Sequence, residues 1–163
     1  MYNKLLNYSI LVLLLLIYSC AYMENLDYSN ADTIIYRFGD SSVPPPYHRS
    51  YTITASPDLI EVVVDSYGEI IVRDSAMMDS DKFNALIEIL KKDKINTGQK
   101  KDDAGCTGGT TDYLDVKSGE SFILKGYQYH CGGSEYGNLL GDLSAFKSQI
   151  KSYFENFGAL LMQ

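Results

Sequence analysis

Leu59-Ile60-Glu61-Val62-Val63-Val64-Asp65-Ser66-Tyr67-Gly68-Glu69-Ile70-Ile71-Val72-Arg73 contains two β-branched runs separated by Ser66-Tyr67-Gly68. β-Branched residues suit a pleated, half-buried surface, and a short polar stretch ending in glycine suits a reversal, so the segment reads as two antiparallel strands. Upstream, Tyr51-Thr52-Ile53-Thr54 leads into Ala55-Ser56-Pro57-Asp58, whose proline and aspartate mark another turn. Three strands therefore form a meander. Three consecutive valines, Val62 to Val64, predict apolar neighbours on both faces of its middle strand.

Working outward, Thr33-Ile34-Ile35-Tyr36-Arg37-Phe38 reads as a first strand stopped by Gly39-Asp40. Pro44-Pro45-Pro46 in the following loop is a stiff connector that cannot donate to a ladder. Downstream the hydrophobic period changes. Phe83, Leu86, Ile87 and Leu90 recur at helical spacing, Asp79 or Ser80 is placed to cap the start, and Lys91, Lys92 and Lys94 sit at the negative end. Residues 97–103 read as a charged loop. A second helix is expected over about residues 141–157, with Leu143, Phe146, Ile150, Tyr153, Phe154 and Phe157 as its stripe, Asp142 as cap and Gly158 as stop.

Between the helices, residues 111–116 and 121–129 read as a hairpin. With Ser118-Gly119 as its two-residue turn, facing residues have numbers summing to about 237, by the two-residue hairpin rule. That register sets Asp112 opposite Lys125, Leu114 opposite Ile123, Lys117 opposite Glu120 and Cys106 opposite Cys131. The fold class expected is α+β: an antiparallel sheet of strand meander plus hairpin, with two helices packed on one face. In broad plan this order is similar to small bacterial emfourin-like protease inhibitors. The resemblance implies an inhibitor-like, protein-binding role.

The chain opens with Lys4 and an apolar run from Ile10 to Ile17 that ends at Ser19-Cys20. A membrane-spanning helix needs about 20 apolar residues, while an export leader needs about 7–15. The run is short, and no basic cluster follows it, which favours cleavage. Ile17-Tyr18-Ser19-Cys20 resembles the lipobox of bacterial lipoproteins, although Tyr18 is bulkier than that position usually holds. The resemblance implies cleavage before Cys20 and lipid on its sulfur, which places the mature protein on a membrane of the bacterial cell envelope. By the same analogy, Ala21 in place of an aspartate favours the outer membrane in a two-membrane organism. The organisation expected is a signal peptide over residues 1–19, a lipid-anchored tether over 20–32 and one domain over 33–163.

Removing 19 of the 163 residues takes away one cation, Lys4, and no acid, leaving 13 Lys and Arg against 21 Asp and Glu. That net −8 disfavours nucleic acid and electrostatic attachment to anionic headgroups. Three cysteines divide into one for lipid, Cys20, and two, Cys106 and Cys131, for a disulfide in an oxidising compartment. His48 and His130 offer a metal-binding alternative, but the cysteines lack close Cys-x-x-Cys spacing, so no metal is expected.

No hydrolase, metalloprotease or phosphate-loop motif is present, and Asp112 and Asp115, three apart on a strand, point to opposite faces. Neither catalytic residues nor a cofactor is expected. Two recognition roles remain: binding an envelope protein through residues 95–110, pinned by Cys106, or binding carbohydrate through tyrosines, notably Tyr113, Tyr127, Tyr129 and Tyr136. The lack of tryptophan weighs against the second.

Overall fold

The computed structural model describes residues 26–102 and 107–163. Eight strands run β1 Thr33–Gly39, β2 Ser50–Ala55, β3 Leu59–Ser66, β4 Glu69–Met77, β5 Asn96–Lys101, β6 Thr110–Ser118, β7 Ser121–Cys131 and β8 Ser134–Leu140. Three helices, α1 Ser80–Lys92, α2 Ser144–Ser152 and α3 Phe157–Leu160, complete the elements. The strands form one antiparallel sheet in the order β4-β3-β2-β1-β6-β7-β8-β5. The fold is α+β in the broad sense, with the sheet dominant and the helices few and short.

Alternation builds the core. Ile34 and Tyr36, Ile53 and Ala55, Ile60, Val62 and Val64, and Leu114 and Val116 are all fully buried, and each sits two residues from the next along its strand. Phe83, Leu86, Ile87 and Leu90 of α1 and Phe146 and Ile150 of α2 join the same cluster. Burying each such side chain contributes roughly 1.5–3 kcal/mol. Because β4 and β5 are opposite edges of the sheet, α1 carries the chain from one edge to the other. Asp79 caps it by accepting from the Lys82 amide at 2.8 Å.

Several expectations need correction. Val63 is only half-buried, on the sheet face opposite Val62 and Val64, so the middle strand of the meander has one apolar face. Of residues 97–103, expected as a charged loop, 97–101 belong to the edge strand β5, held by β8, itself unanticipated. Edge strands tolerate Lys, Gln and Gly because one side stays in water, and such strands lack the alternation that marks a central one. The last helix is broken: α2 ends at Ser152, and Gly158 lies inside the short α3 instead of stopping a long helix. Asp142 accepts from the Ser144 amide at 2.8 Å, while the helix boundary residue is Leu143.

The hairpin register also differs. Ser118 pairs with Ser121, so Gly119-Glu120 is the turn, with Gly119 at φ +56° as its first residue. A reversal that needs positive φ at its first central position selects glycine there, which shifts the turn by one residue. An irregularity between Val116 and Lys117 shifts pairing again, so Asp112 faces Gln128, Leu114 faces Gly126, Lys117 faces Phe122, and Lys125 faces Asp115. The ladder stops at Thr110 opposite His130. The cross-strand argument for facing Cys106 with Cys131 therefore fails.

Residues 26–32, the described part of the expected tether, pack against the domain. Tyr28 is 3% exposed, and its hydroxyl donates to the Ile95 carbonyl at 2.9 Å. Leu26 and Ala31 also lie against the core. Among the described residues no helix is long and apolar enough to cross a membrane. Cys20 and the leader lie outside the described residues, as does Cys106.

Candidate functional site

The sheet face opposite the core carries the strongest concentration of recognition chemistry. Period-2 alternation sends Thr111 and Tyr113 of β6, Tyr127 and Tyr129 of β7, and Tyr136 of β8 to this face. Tyr113 lies directly opposite Tyr127, with ring centroids 5.9 Å apart and planes tilted by 32°. Tyr129 lies directly opposite Tyr136, at 6.3 Å and 37°. With Lys100 and Asp102, at the end of β5, these residues line a cleft of about 320 Å³. Lys100 and Asp102 are 2.6 Å apart, and hydrogen bonding to that carboxylate raises the lysine pKa.

Backbone features hold the rings. Gly137 has φ +107°, and a Cβ there would stand 2.2 Å from the Tyr127 carbonyl oxygen, so only glycine lets β8 come this close to β7. Beside it the Asn138 side chain accepts from the Tyr127 amide at 3.0 Å. Gly109 donates its amide to the Tyr129 hydroxyl at 3.2 Å, and a Cβ on Gly109 would fall 2.1 Å from the His130 carbonyl oxygen. Arg37 lies 5.0 Å over the Tyr113 ring and 3.5 Å from the Asp115 carboxylate.

The core face holds a second polar constellation. Asp112, 1% exposed, accepts from the Tyr36 hydroxyl at one oxygen, and at the other from Lys147 Nζ at 2.8 Å and His130 Nε2 at 3.0 Å. Burial pushes its carboxyl up, but the hydrogen bonds from Lys147, Tyr36 and His130 outweigh burial and hold it below the usual carboxylate range. Tyr36 is itself raised, mainly by burial. Nδ1 of His130 lies 3.6 Å from Glu135 at a polar recess of about 240 Å³ that Gln128, Asp142, Ser144 and Lys147 also line. Both Asp112 oxygens are occupied by donors, so this carboxylate is a poor general base. Its evident work is to tie β1, β6, β7 and α2 together.

The four tyrosines singled out in the sequence are thus brought into one surface. Asp112 and Asp115 do point to opposite faces, one to the core cluster and one to Arg37. His48 stacks on Tyr67 at 4.0 Å in the proline-rich connector, apart from the Asp112 group that holds His130. Among the described residues no group of three or more His, Cys, Asp or Glu side chains is arranged to hold a metal ion. Cys131 is buried at the end of β7, its sulfur 3.6 Å from the Thr107 carbonyl oxygen. Sequence reasoning missed the Asp112 cluster, although a signal was present: Asp112 shares parity with Leu114 and Val116, and a carboxylate on a core face demands partners. It also missed Lys100 and Asp102, whose strand has no pattern.

Against protein-family models, curated proteins and solved structures, the chain gives no match.

Proposed function

We propose that this chain is a bacterial envelope lipoprotein whose folded domain recognises a ligand without catalysis, and that the tyrosine cleft is its binding surface. The observation that carries the recognition reading is the convergence of Tyr113, Tyr127, Tyr129 and Tyr136 beside Lys100 and Asp102 on the sheet face opposite the core. Tyrosine brings a large apolar ring and a polar tip at little conformational cost, which is why binding surfaces use it. Attachment rests on the lipobox-like Ile17-Tyr18-Ser19-Cys20. A doubly or triply acylated cysteine anchors stably, since each buried CH₂ contributes about 0.8 kcal/mol. Residues 20–25 then join the lipid to the packed Leu26.

The disulfide between Cys106 and Cys131 belongs to the same reading. What supports it is that Thr107, which directly follows Cys106 in the sequence, has its carbonyl oxygen 3.6 Å from the Cys131 sulfur. An inhibitor-like role through a free loop over residues 95–110 draws less support, because residues 96–101 are paired into the sheet.

Mass spectrometry of the protein made in a bacterial host tests the placement. The expected products are a lipid-modified amino-terminal Cys20 peptide and, without reduction, a joined Cys106–Cys131 peptide. An intact, unmodified leader overturns the lipoprotein reading. Recognition is tested by protection of Tyr127 and Tyr136 from nitration in an envelope extract; equal nitration with and without extract counts against the cleft.

A further inference from the structure

Given that the cleft is a binding surface, we infer that its ligand is a neutral carbohydrate chain, with one or two sugar rings seated against Tyr113, Tyr127 and Tyr136. Size comes first. The cleft of about 320 Å³ falls at the lower end of small-ligand sites, roughly 300–1,000 Å³. A stable protein partner instead covers about 800 Å² on each side. Beyond the cleft this face is mixed: Asp115 pairs across the ladder with Lys125, Phe122 farther along β7 lies under the Lys117 and Lys125 ammonium groups, and Arg37, Glu61 and Arg73 are engaged in ion pairs, Arg37 with Asp115 and Arg73 with Glu61. The four tyrosines are gathered in the cleft.

Lining chemistry then selects the ligand. Tilted rings in two adjacent pairs form an aromatic floor against which the C–H face of a sugar ring lies flat. Around that floor stand phenol hydroxyls and the Thr111 hydroxyl, each able to donate and accept, with one donor, Lys100, and one acceptor, Asp102. The formal charges of Lys100 and Asp102 cancel. A phosphate or an acidic peptide would meet Asp102, and a basic peptide would meet Lys100. A neutral polyhydroxyl ligand satisfies both, since each of its hydroxyls donates and accepts.

Preorganisation completes the argument. Tyr127 is backed by Gly137 and Asn138, and the Tyr129 hydroxyl is held by the Gly109 amide. Rings fixed before binding lose little conformational freedom on contact, which matters for a ligand that forms few strong bonds.

The test uses the full chain from a bacterial host and four neutral probes: malto-, cello-, manno- and chito-oligosaccharides of four to six units. Titration calorimetry is expected to find binding to at least one series, weakened at least tenfold by Tyr127→Ala and by Tyr136→Ala. Tyr127→Phe, which keeps the ring, is expected to retain most of the affinity, and Tyr47→Ala, at a 75% exposed tyrosine outside the cleft, all of it. Should the alanine variants fail to fold, the bound oligosaccharide must protect Tyr113, Tyr127 and Tyr136 of the unaltered protein from nitration while Tyr47 still reacts. Absence of binding to every series, or binding that leaves these tyrosines as reactive as Tyr47, overturns the carbohydrate assignment. An envelope protein whose cross-linking depends on the cleft tyrosines, with no oligosaccharide bound, overturns the ligand class and leaves the cleft as a binding surface. If neither class of ligand depends on the cleft, both readings fall.

Discussion

Lys147 of α2 reaches across the core face to Asp112 of β6 and donates to its carboxylate at 2.8 Å, joining a helix to the sheet through a residue that is 1% exposed. Replacing Asp112 by alanine removes at once the acceptor shared by the lysine, the histidine and the Tyr36 hydroxyl. Breaking a buried pair on one side costs about 3–5 kcal/mol, and the partial exposure of Lys147 and His130 places this case near the lower figure. Lys147→Met is expected to cost less, because Tyr36 and His130 still serve the carboxylate. Urea unfolding of the two variants gives the ordering directly, and equal costs would contradict it.

Acid sensitivity follows from the same carboxylate. Its folded pKa lies below the ordinary value of 3.8, so its contribution is present above that value and is lost as pH falls through the folded pKa. The melting temperature is expected to drop steeply below about pH 4, by the linkage between protonation and unfolding. In Asp112→Asn the whole curve sits lower and its acid limb is shallower. An unchanged limb would show that other carboxylates carry the effect.

Reducing the proposed Cys106–Cys131 bond, or replacing Cys131 by serine, is expected to remove about 3–4 kcal/mol, the chain-entropy value for a loop of this size. Thermal unfolding with and without reductant measures it. Identical melting points would mean that the pair is not joined.

Gly137→Ala forces a methyl group into the Tyr127 carbonyl at a backbone angle of φ +107°. Gly68→Ala, at φ +89° in the turn between β3 and β4, meets nothing within 4 Å. The second substitution is expected to cost about 1 kcal/mol from backbone strain alone, and the first about 2 kcal/mol or more. Oligosaccharide affinity, measured by calorimetry, should fall only in the first.

Tyr28→Phe removes one buried hydroxyl and leaves the Ile95 carbonyl without that donor. Burial raises the Tyr28 phenol to about 12, so it stays protonated and donating across the ordinary working range. A loss of about 1 kcal/mol is expected by denaturant titration. In the same variant the segment before Thr33 should become more sensitive to protease.

Much of the fold is legible in the residues themselves. Val62 and Val64, or Ile34 and Tyr36, announce a buried strand face through a repeat of two. Phe83, Leu86, Ile87 and Leu90 announce α1 through a repeat near 3.6, with Asp79 as its cap. Tyr113, Tyr127, Tyr129 and Tyr136 were nameable as candidates from the abundance of tyrosine, not from a repeat. What escaped is what has no local signature: β5, polar throughout, exists because β8 offers it hydrogen bonds, and β8 itself contains a positive-φ glycine that no central strand would advertise.

Periodicity along one segment depends only on that segment's own backbone geometry, so the chain alone determined which residues face a core. Which segments lie side by side depends on contacts between residues far apart in the chain, and on where a single bulge falls. The one-residue shift of the turn to Gly119-Glu120 and the slip beside Val116 set Asp112 against Gln128 instead of Lys125. Only the assembled tertiary structure brought Lys147 and His130 to that carboxylate and Lys100 to the tyrosines, because both groupings are made across strands and helices whose alignment no local pattern encodes.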